Sequence, residues 1–233
     1  MSEGVIYYAV GEKYLNQATN SAKSLKYHNS VDVTVFTDQN QQPEIFDRYK
    51  VINRNKHPFY DRIKHFMDSP YDKTLYIDTD TFVSDNIQDI YQMLDRFDVV
   101  ARIDPFRDTA GPHWGSDEYD VEAPDSFPEY QCGVLGYKLN SSVLKMFEDW
   151  RKRYSKKLES NLIDQPFFRE AVYNQDNLKI GTLPPEYNLL VNNLNCLQEK
   201  AKILHFNGGY YDKKSIGRKE TPEEILDQVN SEY

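Results

Sequence analysis

The stretch Lys73-Thr74-Leu75-Tyr76-Ile77-Asp78-Thr79-Asp80-Thr81-Phe82-Val83 constrains this chain more than any other. Leu75, Tyr76 and Ile77 form a short apolar run of the kind that makes a buried strand, and two carboxylates one residue apart follow at its carboxyl end. In open α/β sheets, ligands bind in the crevice at the carboxyl ends of the strands. Two acids placed there raise each other's pKa unless a cation lies between them. Oxygen ligands suit hard divalent ions such as Mg²⁺ and Mn²⁺, which complete their shells with water and phosphate oxygens. The motif therefore points to a metal–diphosphate site. The competing explanation is ordinary loop chemistry, because Asp favours turns and caps.

The neighbouring sequence favours the first explanation. Gly4–Val10 is a β-rich run, and Leu15, Ala18, Ala22 and Leu25 then recur at helical spacing until His28-Asn29. Val31–Phe36 and Tyr49–Ile52 read as strands. Phe59–Asp68 reads as a helix with Ile63, Phe66 and Met67 inward, broken by Ser69-Pro70. After the Asp78 strand come a helix at Ile87–Leu94, with Asn86 as a candidate N-cap, and a strand at Phe97–Ala101. Strands and helices that alternate over short connections imply a mostly parallel sheet covered by helices.

From Arg102 to Tyr130 the alternation stops. This stretch is rich in Pro, Asp and Gly, and a structureless loop of that length is uncommon inside a compact domain unless it is a binding loop, a lid or disordered. It is the candidate acceptor loop. Beyond it the sequence predicts strands at Gln131–Tyr137, Ile180–Leu183 and Ile203–Phe206. Helices are predicted at Val143–Tyr154, with Leu144, Phe147 and Trp150, and at Asp164–Tyr173. A C-terminal helix is predicted at Thr221–Val229, capped by Thr221 with Pro222 in its first turn. The fold class is α/β, in one domain spanning residues 1–233.

Composition sets the limits. A chain of 233 residues is ample for a sizeable core. Its hydrophobic content, 39%, is low, but 18 tyrosines add apolar area that an aliphatic count misses. A net charge of -9 argues against nucleic acid as a partner and against a polybasic membrane anchor. Cys132 and Cys196 have no metal-binding spacing and read as free thiols of a reducing compartment. No apolar run reaches transmembrane length and no signal-peptide core precedes the first strand, so a cytoplasmic protein without an integral membrane segment is expected.

Five further residues carry candidate chemistry. His205 ends the apolar strand Ile203-Leu204-His205 ahead of Gly208-Gly209, where glycines let a phosphate approach the backbone; the alternative is a satisfied core histidine beside a turn. Lys64, on the helix before the Asp78 strand, could balance phosphate charge or simply be solvated. Asp164-Gln165 precedes Pro166; an N-cap explains Asp164 but not Gln165. Tyr14 could stack on a base or pack as core.

Taken together, these residues resemble the glycosyltransferase A fold, and within it the glycogenin-like glycosyltransferase family 8. The resemblance covers nearly the whole chain and is weakest between Arg102 and Tyr130. Tyr7-Tyr8-Ala9-Val10-Gly11-Glu12-Lys13-Tyr14-Leu15, with Ser24-Leu25, is similar to the family's first strand and nucleotide loop. Lys64 ahead of Leu75-Tyr76-Ile77-Asp78-Thr79-Asp80-Thr81 resembles the lysine and D-x-D strand, and Asp89 and Ile90 continue the likeness. Gln131-Cys132-Gly133-Val134, Asp164-Gln165, Leu183-Pro184 with Tyr187-Asn188, and Ile203-Leu204-His205-Phe206-Asn207-Gly208 resemble later signatures. A D-x-D also marks phosphatases of haloacid-dehalogenase type, but there it follows the first strand with Thr or Val at its fifth position, where this chain has Phe82 deep in the sequence.

The resemblance implies a metal-dependent glycosyltransferase that moves a sugar from a nucleoside-diphosphate donor, UDP-sugar favoured, to a hydroxyl of a glycan or glycoconjugate acceptor with retention. Asp78, Asp80 and His205 would hold the divalent cation, Mn²⁺ favoured over Mg²⁺. Tyr8, Ala9, Val10, Tyr14, Lys64, Asp78, Thr79, Asp80, Gln131 and Gly208 would bind the donor, with Tyr14 stacking on uracil. Asp164 and Gln165 would orient the sugar at the reacting carbon. Residues 1–101 would form the nucleotide-sugar half and 102–233 the acceptor half, with Trp114 and Tyr119 stacking on the acceptor. Inversion would instead require a carboxylate at the acceptor hydroxyl, from Asp104, Asp117, Glu118 or Asp164. Two positions depart from the pattern: Gln131 stands where Asn is usual, and Tyr211 where Lys is expected, with Lys213 and Lys214 just beyond. The competing functions are a sugar-nucleotide or glycan-binding module without turnover, an interaction domain of a larger glycan assembly, and a nucleotidyltransferase. The last usually has a Gly-rich loop after its first strand, whereas Val10-Gly11-Glu12-Lys13 contains one glycine.

Overall fold

The computed structural model describes residues 1–53, 57–104, 122–158, 163–191, 197–206 and 221–231. The chain begins with β1 (Glu3–Ala9), α1 (Glu12–His28), β2 (Asp32–Thr37), β3 (Arg48–Val51), α2 (Pro58–Met67) and β4 (Lys73–Ile77). There follow β5 (Thr81–Val83), α3 (Asp89–Arg96), β6 (Val99–Ile103), β7 (Tyr130–Lys138), α4 (Ser141–Ser155), α5 (Gln165–Tyr173), β8 (Ile180–Leu183), β9 (Leu189–Leu190), β10 (Ile203–His205) and α6 (Pro222–Asn230).

The main sheet has the order β3-β2-β1-β4-β7-β6-β8. Its strands pair in parallel, except that β7 runs antiparallel to both β4 and β6. The chain builds outward from β1 through β2 and β3, then returns to place β4 on the other side of β1. That reversal opens a crevice at the carboxyl ends of β1 and β4, the usual ligand position in such sheets.

Side-chain alternation distributes the core over two faces. Val5, Tyr7, Leu75 and Ile77 pack with Leu15, Ala18, Ala22 and Leu25 of α1 and with Ile90 and Leu94 of α3. Ile6 and Tyr76 point to the other face, against Ile63 and Phe66 of α2, Phe147 and Trp150 of α4 and Phe167 of α5. Period-2 strands thus bury both faces, which is why β4 is apolar throughout its middle. Lys73 at its start is buried but paired with Asp95 at 2.7 Å and Glu3 at 3.0 Å. A smaller sheet, β5-β10-β9, carries a third cluster with Leu204, Phe206 and α6 residues Ile225 and Val229.

The expected α/β class, mostly parallel sheet and element order are present. Three details differ. Arg102 and Ile103 still belong to β6 and Tyr130 already to β7, so the sheet extends into both ends of the predicted loop, of which 105–121 lie outside the described residues. Asn86 does not cap α3: the helix starts at Asp89, and Asn86 Oδ1 accepts from Gln88 N at 3.0 Å in the turn before it. Thr81–Val83 forms a further short strand that the sequence reading did not assign. At the C-terminus, Thr221 and Glu224 form a reciprocal capping box with Pro222 in the first turn. Among the described residues no helix is long and apolar enough to cross a membrane.

Phe66 contacts the rings of Tyr76, Tyr137, Phe147 and Trp150 and is 1% exposed. Phe66→Ala is expected to cost about 3–5 kcal/mol in urea denaturation through the cavity it leaves. Tyr27→Ala, at a side chain that is 85% exposed, should change stability by less than about 0.5 kcal/mol.

Candidate metal centre

Strand β4 delivers Asp78 to the crevice. Its N–H donates to Gly133 O of β7 at 2.8 Å, one step beyond the last β4–β7 pair, Ile77 with Val134. The following turn is tied down by hydroxyls: Thr81 Oγ1 donates to Asp78 O at 2.9 Å, and Thr79 Oγ1 donates to Gln17 Oε1 at 3.0 Å. Ser21 Oγ lies 2.7 Å from Thr81 Oγ1 and 2.9 Å from Tyr7 OH, so α1 and β1 brace the same turn.

The small sheet brings in His205. Strand β10 pairs antiparallel with β5 in the register His205 to Thr81, and Phe206 N donates to Asp80 O at 3.0 Å. His205 Nε2 then lies 3.4 Å from Asp80 Oδ1 and 3.6 Å from Asp78 Oδ2. Ligand atoms of Asp78, Asp80 and His205 all fall within 4.8 Å of one another. His205 Nδ1 is 2.9 Å from Asn188 Oδ1, an acceptor, so Nδ1 carries the proton and the Nε2 lone pair of the neutral ring faces the two carboxylates. A partner that fixes the tautomer in this way is characteristic of metal-ligating histidines. Burial lowers the pKa of the ring, but Asp80 and Asp78 outweigh it and leave the pKa raised. The ring is therefore drawn toward the positive charge that the two acids demand.

Gly133 explains how these groups fit. A Cβ at this position would stand 2.3 Å from His205 Cε1, 2.7 Å from its Nδ1 and 3.0 Å from Asp78 Oδ2. Only a glycine lets the imidazole and the carboxylate lie against the strand.

Asp78 also has a second side. Its Oδ1 accepts from Arg62 Nη1 at 3.1 Å and from Tyr76 OH. Arg62, on α2, is buried and also grips Asp164 through Nε at 3.1 Å and Nη2 at 2.9 Å. Burial pushes the Asp164 carboxyl up and Arg62 pulls it back, leaving it above the usual carboxylate range. Burial works against the Arg62 charge, but Asp164 above all, with Tyr76 and Asp78, holds it firmly protonated. Asp164 precedes α5 without capping it, because its carboxylate is committed to Arg62; Trp150 Nε1 donates to its carbonyl at 2.8 Å. Gln165, next in the chain, donates from Nε2 to Asp104 Oδ2 at 2.9 Å and Glu129 Oε1 at 2.7 Å.

The structure thus brings Asp78, Thr79, Asp80 and His205 together, with Asp164 joined through Arg62. Gln131, 4% exposed, lies on β7 two residues before Gly133 and on the same face. Tyr8 and Ala9 end β1 beside β4, with Val10 next; the Tyr8 ring stacks on His65 at 5.7 Å. Gly11, at φ 95°, then turns the chain into α1, and its N–H donates to Asp38 Oδ1 at 2.7 Å. Tyr14 is 48% exposed on α1 and is not core. Lys64 lies on the exposed side of α2, and no hydrogen bond or ion pair among the described residues joins it to the cluster. Trp114, Asp117, Glu118, Tyr119, Cys196, Gly208, Gly209, Tyr211, Lys213 and Lys214 fall outside the described residues; Cys132 is a buried free thiol.

Sequence reasoning missed Arg62, and it took in Asn188 through the resemblance without giving it a role. Arg62 lies four residues before Phe66 and one before Ile63, on the inward stripe, and a buried arginine requires an acidic partner. The Tyr187-Asn188 signature marks Asn188 but does not say what it touches, since its contact with His205 follows from β9 pairing beside β10.

Comparison with solved structures identifies the fold. Over 98% of this chain and 95% of the other, it is similar to galactosyltransferase LgtC, solved with donor and acceptor sugar analogues, at TM-score 0.70 and 14% identity. It is also similar to the bifunctional glycosyltransferase WbbM (TM-score 0.64, 16% identity, 99% of this chain and 52% of that one). Glycosyltransferase GlyE of Streptococcus pneumoniae TIGR4 matches at TM-score 0.61 and 17% identity, over 98% of this chain and 60% of that one. No protein-family model and no curated protein sequence matches the chain. The architecture is the glycosyltransferase A fold, as the D-x-D strand and its surroundings led us to expect.

Arg62→Met should cost about 3–5 kcal/mol near neutral pH, because it strands a buried Asp164 carboxylate. A carboxyl with a raised folded pKa opposes folding above its unfolded pKa, and that opposition fades as pH falls through the folded value. Losing Arg62 raises that value further. The deficit of Arg62→Met against wild type should therefore narrow as urea melts are taken from pH 7.5 toward pH 5.

Proposed function

We propose that the protein is a metal-dependent glycosyltransferase that moves a sugar from a nucleoside-diphosphate donor, UDP-sugar favoured, to a hydroxyl of a glycan or glycoconjugate, with retention. The observation that carries this reading is the Asp78–Asp80–His205 cluster at the carboxyl edge of the sheet, in a fold shared with LgtC, WbbM and GlyE.

The donor set fits a divalent cation. Two carboxylates and an imidazole whose Nδ1 is held by Asn188 converge against a glycine that leaves them room. The nitrogen ligand favours Mn²⁺ over Mg²⁺. When bound, such a cation supplies Lewis-acid neutralisation of charge on the departing nucleoside diphosphate. The chain's own residues supply the rest. Asp78 keeps one oxygen on Arg62 and Tyr76 and offers the other to the cation. Tyr8, Ala9 and Val10 would line the nucleotide end of the crevice, with Tyr14 offering an open ring for stacking on the base. Thr79 and Gln131 would complete the donor contacts. Asp164 and Gln165 would orient the sugar, Asp164 through its bond to Arg62. Arg62 is the buried cation of this wall, and Lys64, on the exposed side of α2, would meet the charge of the donor's phosphates. Gly208 would add a backbone contact, and Trp114 and Tyr119 acceptor stacking. Residues 1–101 would form the donor half and 102–233 the acceptor half.

Two experiments check this reading. Asp80→Asn should leave the circular dichroism spectrum unchanged and reduce Mn²⁺-dependent hydrolysis or transfer from UDP-sugars at least about a hundredfold; turnover at the wild-type level would refute the metal assignment. Gly133→Ala should weaken Mn²⁺ binding at least about tenfold while far-UV circular dichroism is retained, since the added methyl displaces His205 and Asp78.

A further inference from the structure

Net charge hides how charge is distributed along this chain. Five of the seven residues from Arg151 to Lys157 are Lys or Arg and none is acidic, in a chain of 28 basic and 37 acidic residues. They close α4, whose buried side is Val143, Met146, Phe147, Trp150 and Tyr154. Arg153 is taken by Glu122, Asp149 and Glu170, all within 3.3 Å. Arg151, Lys152 and Lys156 are not so committed, and among the described residues no acid pairs with them. Arg151 lies over the ring of Tyr60 on α2 at 4.3 Å, and its Nε is buried with no hydrogen-bond partner among the described residues. By contrast Lys26, Lys73, Lys138 and Lys202 each have a carboxylate at 3.7 Å or less. Helical spacings of seven and four put Lys145, Lys152 and Lys156 on one stripe of α4, with Leu144 and Arg151 on the adjoining one. Glu148 is the acid that shares this side, against four cations.

Strand direction sets where this surface lies. β7 ends with Lys138 beside Lys73, the first residue of β4, so α4 starts at the amino edge of the sheet and carries its basic end to the carboxyl edge. α2 leads into β4 and runs the other way, so Phe59 and Tyr60 in its first turn reach the same edge. Phe59 is 40% exposed, and its ring lies 5.0 Å from the Arg62 guanidinium that holds Asp78. The surface therefore borders the wall of the metal cluster. The helix dipole favours cations in a last turn, which accounts for Lys152 and Lys156. It does not account for Lys145 near the start of the helix, or for the exposed apolar side chains of Phe59 and Leu144 beside the cations.

We infer that this face of α2 and α4 docks peripherally on an anionic membrane surface. Headgroup phosphates would meet Lys145, Arg151, Lys152 and Lys156, while the interfacial layer takes up Phe59, Leu144 and the apolar stems of the lysines. A soluble polyanion meets the cations but leaves the apolar side chains in water, so the bilayer is the better match. The inference does not depend on the nucleotide-sugar reading; it adds that the crevice lies at a membrane surface when the protein is docked.

The test is co-sedimentation of the protein with phosphatidylcholine vesicles, alone or containing about a third phosphatidylglycerol. Wild type should bind the anionic vesicles at least about tenfold more tightly than the neutral ones. An anionic surface favours each nearby cation about fivefold. The Lys152→Gln, Lys156→Gln variant should therefore bind anionic vesicles at least about tenfold more weakly, with its circular dichroism spectrum unchanged. A control of the same net charge, Lys23→Gln with Lys200→Gln, changes exposed lysines on other elements and should stay within about threefold of wild type. No binding to anionic vesicles, equal binding to neutral ones, or an equal loss in the control would each overturn the inference. Capture by soluble polyphosphate without capture by anionic vesicles would assign the cations to a polyanion in solution and overturn the membrane partner.

Discussion

Asp78 has two oxygens and two obligations, and the site depends on how they are divided. One oxygen is held by Arg62 and Tyr76, and the other faces Asp80 and His205. Without Arg62, the carboxylates Asp78 and Asp164 would share a largely dry wall with nothing to offset their charge, a costly arrangement. With it, one guanidinium neutralises the inner side and leaves the outer side short of positive charge. His205 answers that shortage, with Nε2 3.4 Å from Asp80 Oδ1 and 3.6 Å from Asp78 Oδ2, and the two acids raise its pKa against the effect of burial. A divalent cation answers the same demand more fully.

The groups around Asp78 come from separate elements of the chain. Arg62 arrives from a helix on one face of the sheet, Asp164 from the turn before another helix on that face, and His205 from the small sheet. Gly133 is contributed by β7, whose antiparallel direction sends its first residues past the carboxyl end of β4. Had β7 run parallel, its amino end would lie at the opposite edge of the sheet. The one reversed strand in the middle of the main sheet is therefore what puts Gln131 and Gly133 beside the acids of β4.

Much of this was legible in the sequence because it depends on local pattern. The apolar run ending in Asp78 and Asp80, the helical spacing of Leu15 to Leu25 and the Thr221-Pro222 start of the last helix all read correctly. His205 was recognisable as a candidate from its place at the end of an apolar strand. The misses were long-range. Asn86 and Asp164 both carry cap chemistry, yet Asn86 closes a preceding turn and Asp164 is taken by Arg62, more than a hundred positions away in the chain. Arg62 drew no attention beside Lys64, although helical spacing places it on the stripe of Ile63 and Phe66. No local rule pairs Asn188 with His205, since that contact exists only once β9 and β10 lie side by side.

The central claim is that Asp78, Asp80 and His205 hold one divalent cation for a nucleoside diphosphate. Electron paramagnetic resonance of Mn²⁺ tests it most directly, because the sharp signal of the free aqueous ion disappears on binding. Titrating protein into Mn²⁺ and UDP should remove the free-ion signal at one ion per chain, and His205→Ala should shift that titration to at least about tenfold higher concentration. A free-ion signal that persists with wild-type protein and UDP, or that is removed equally well by His205→Ala, would contradict the account.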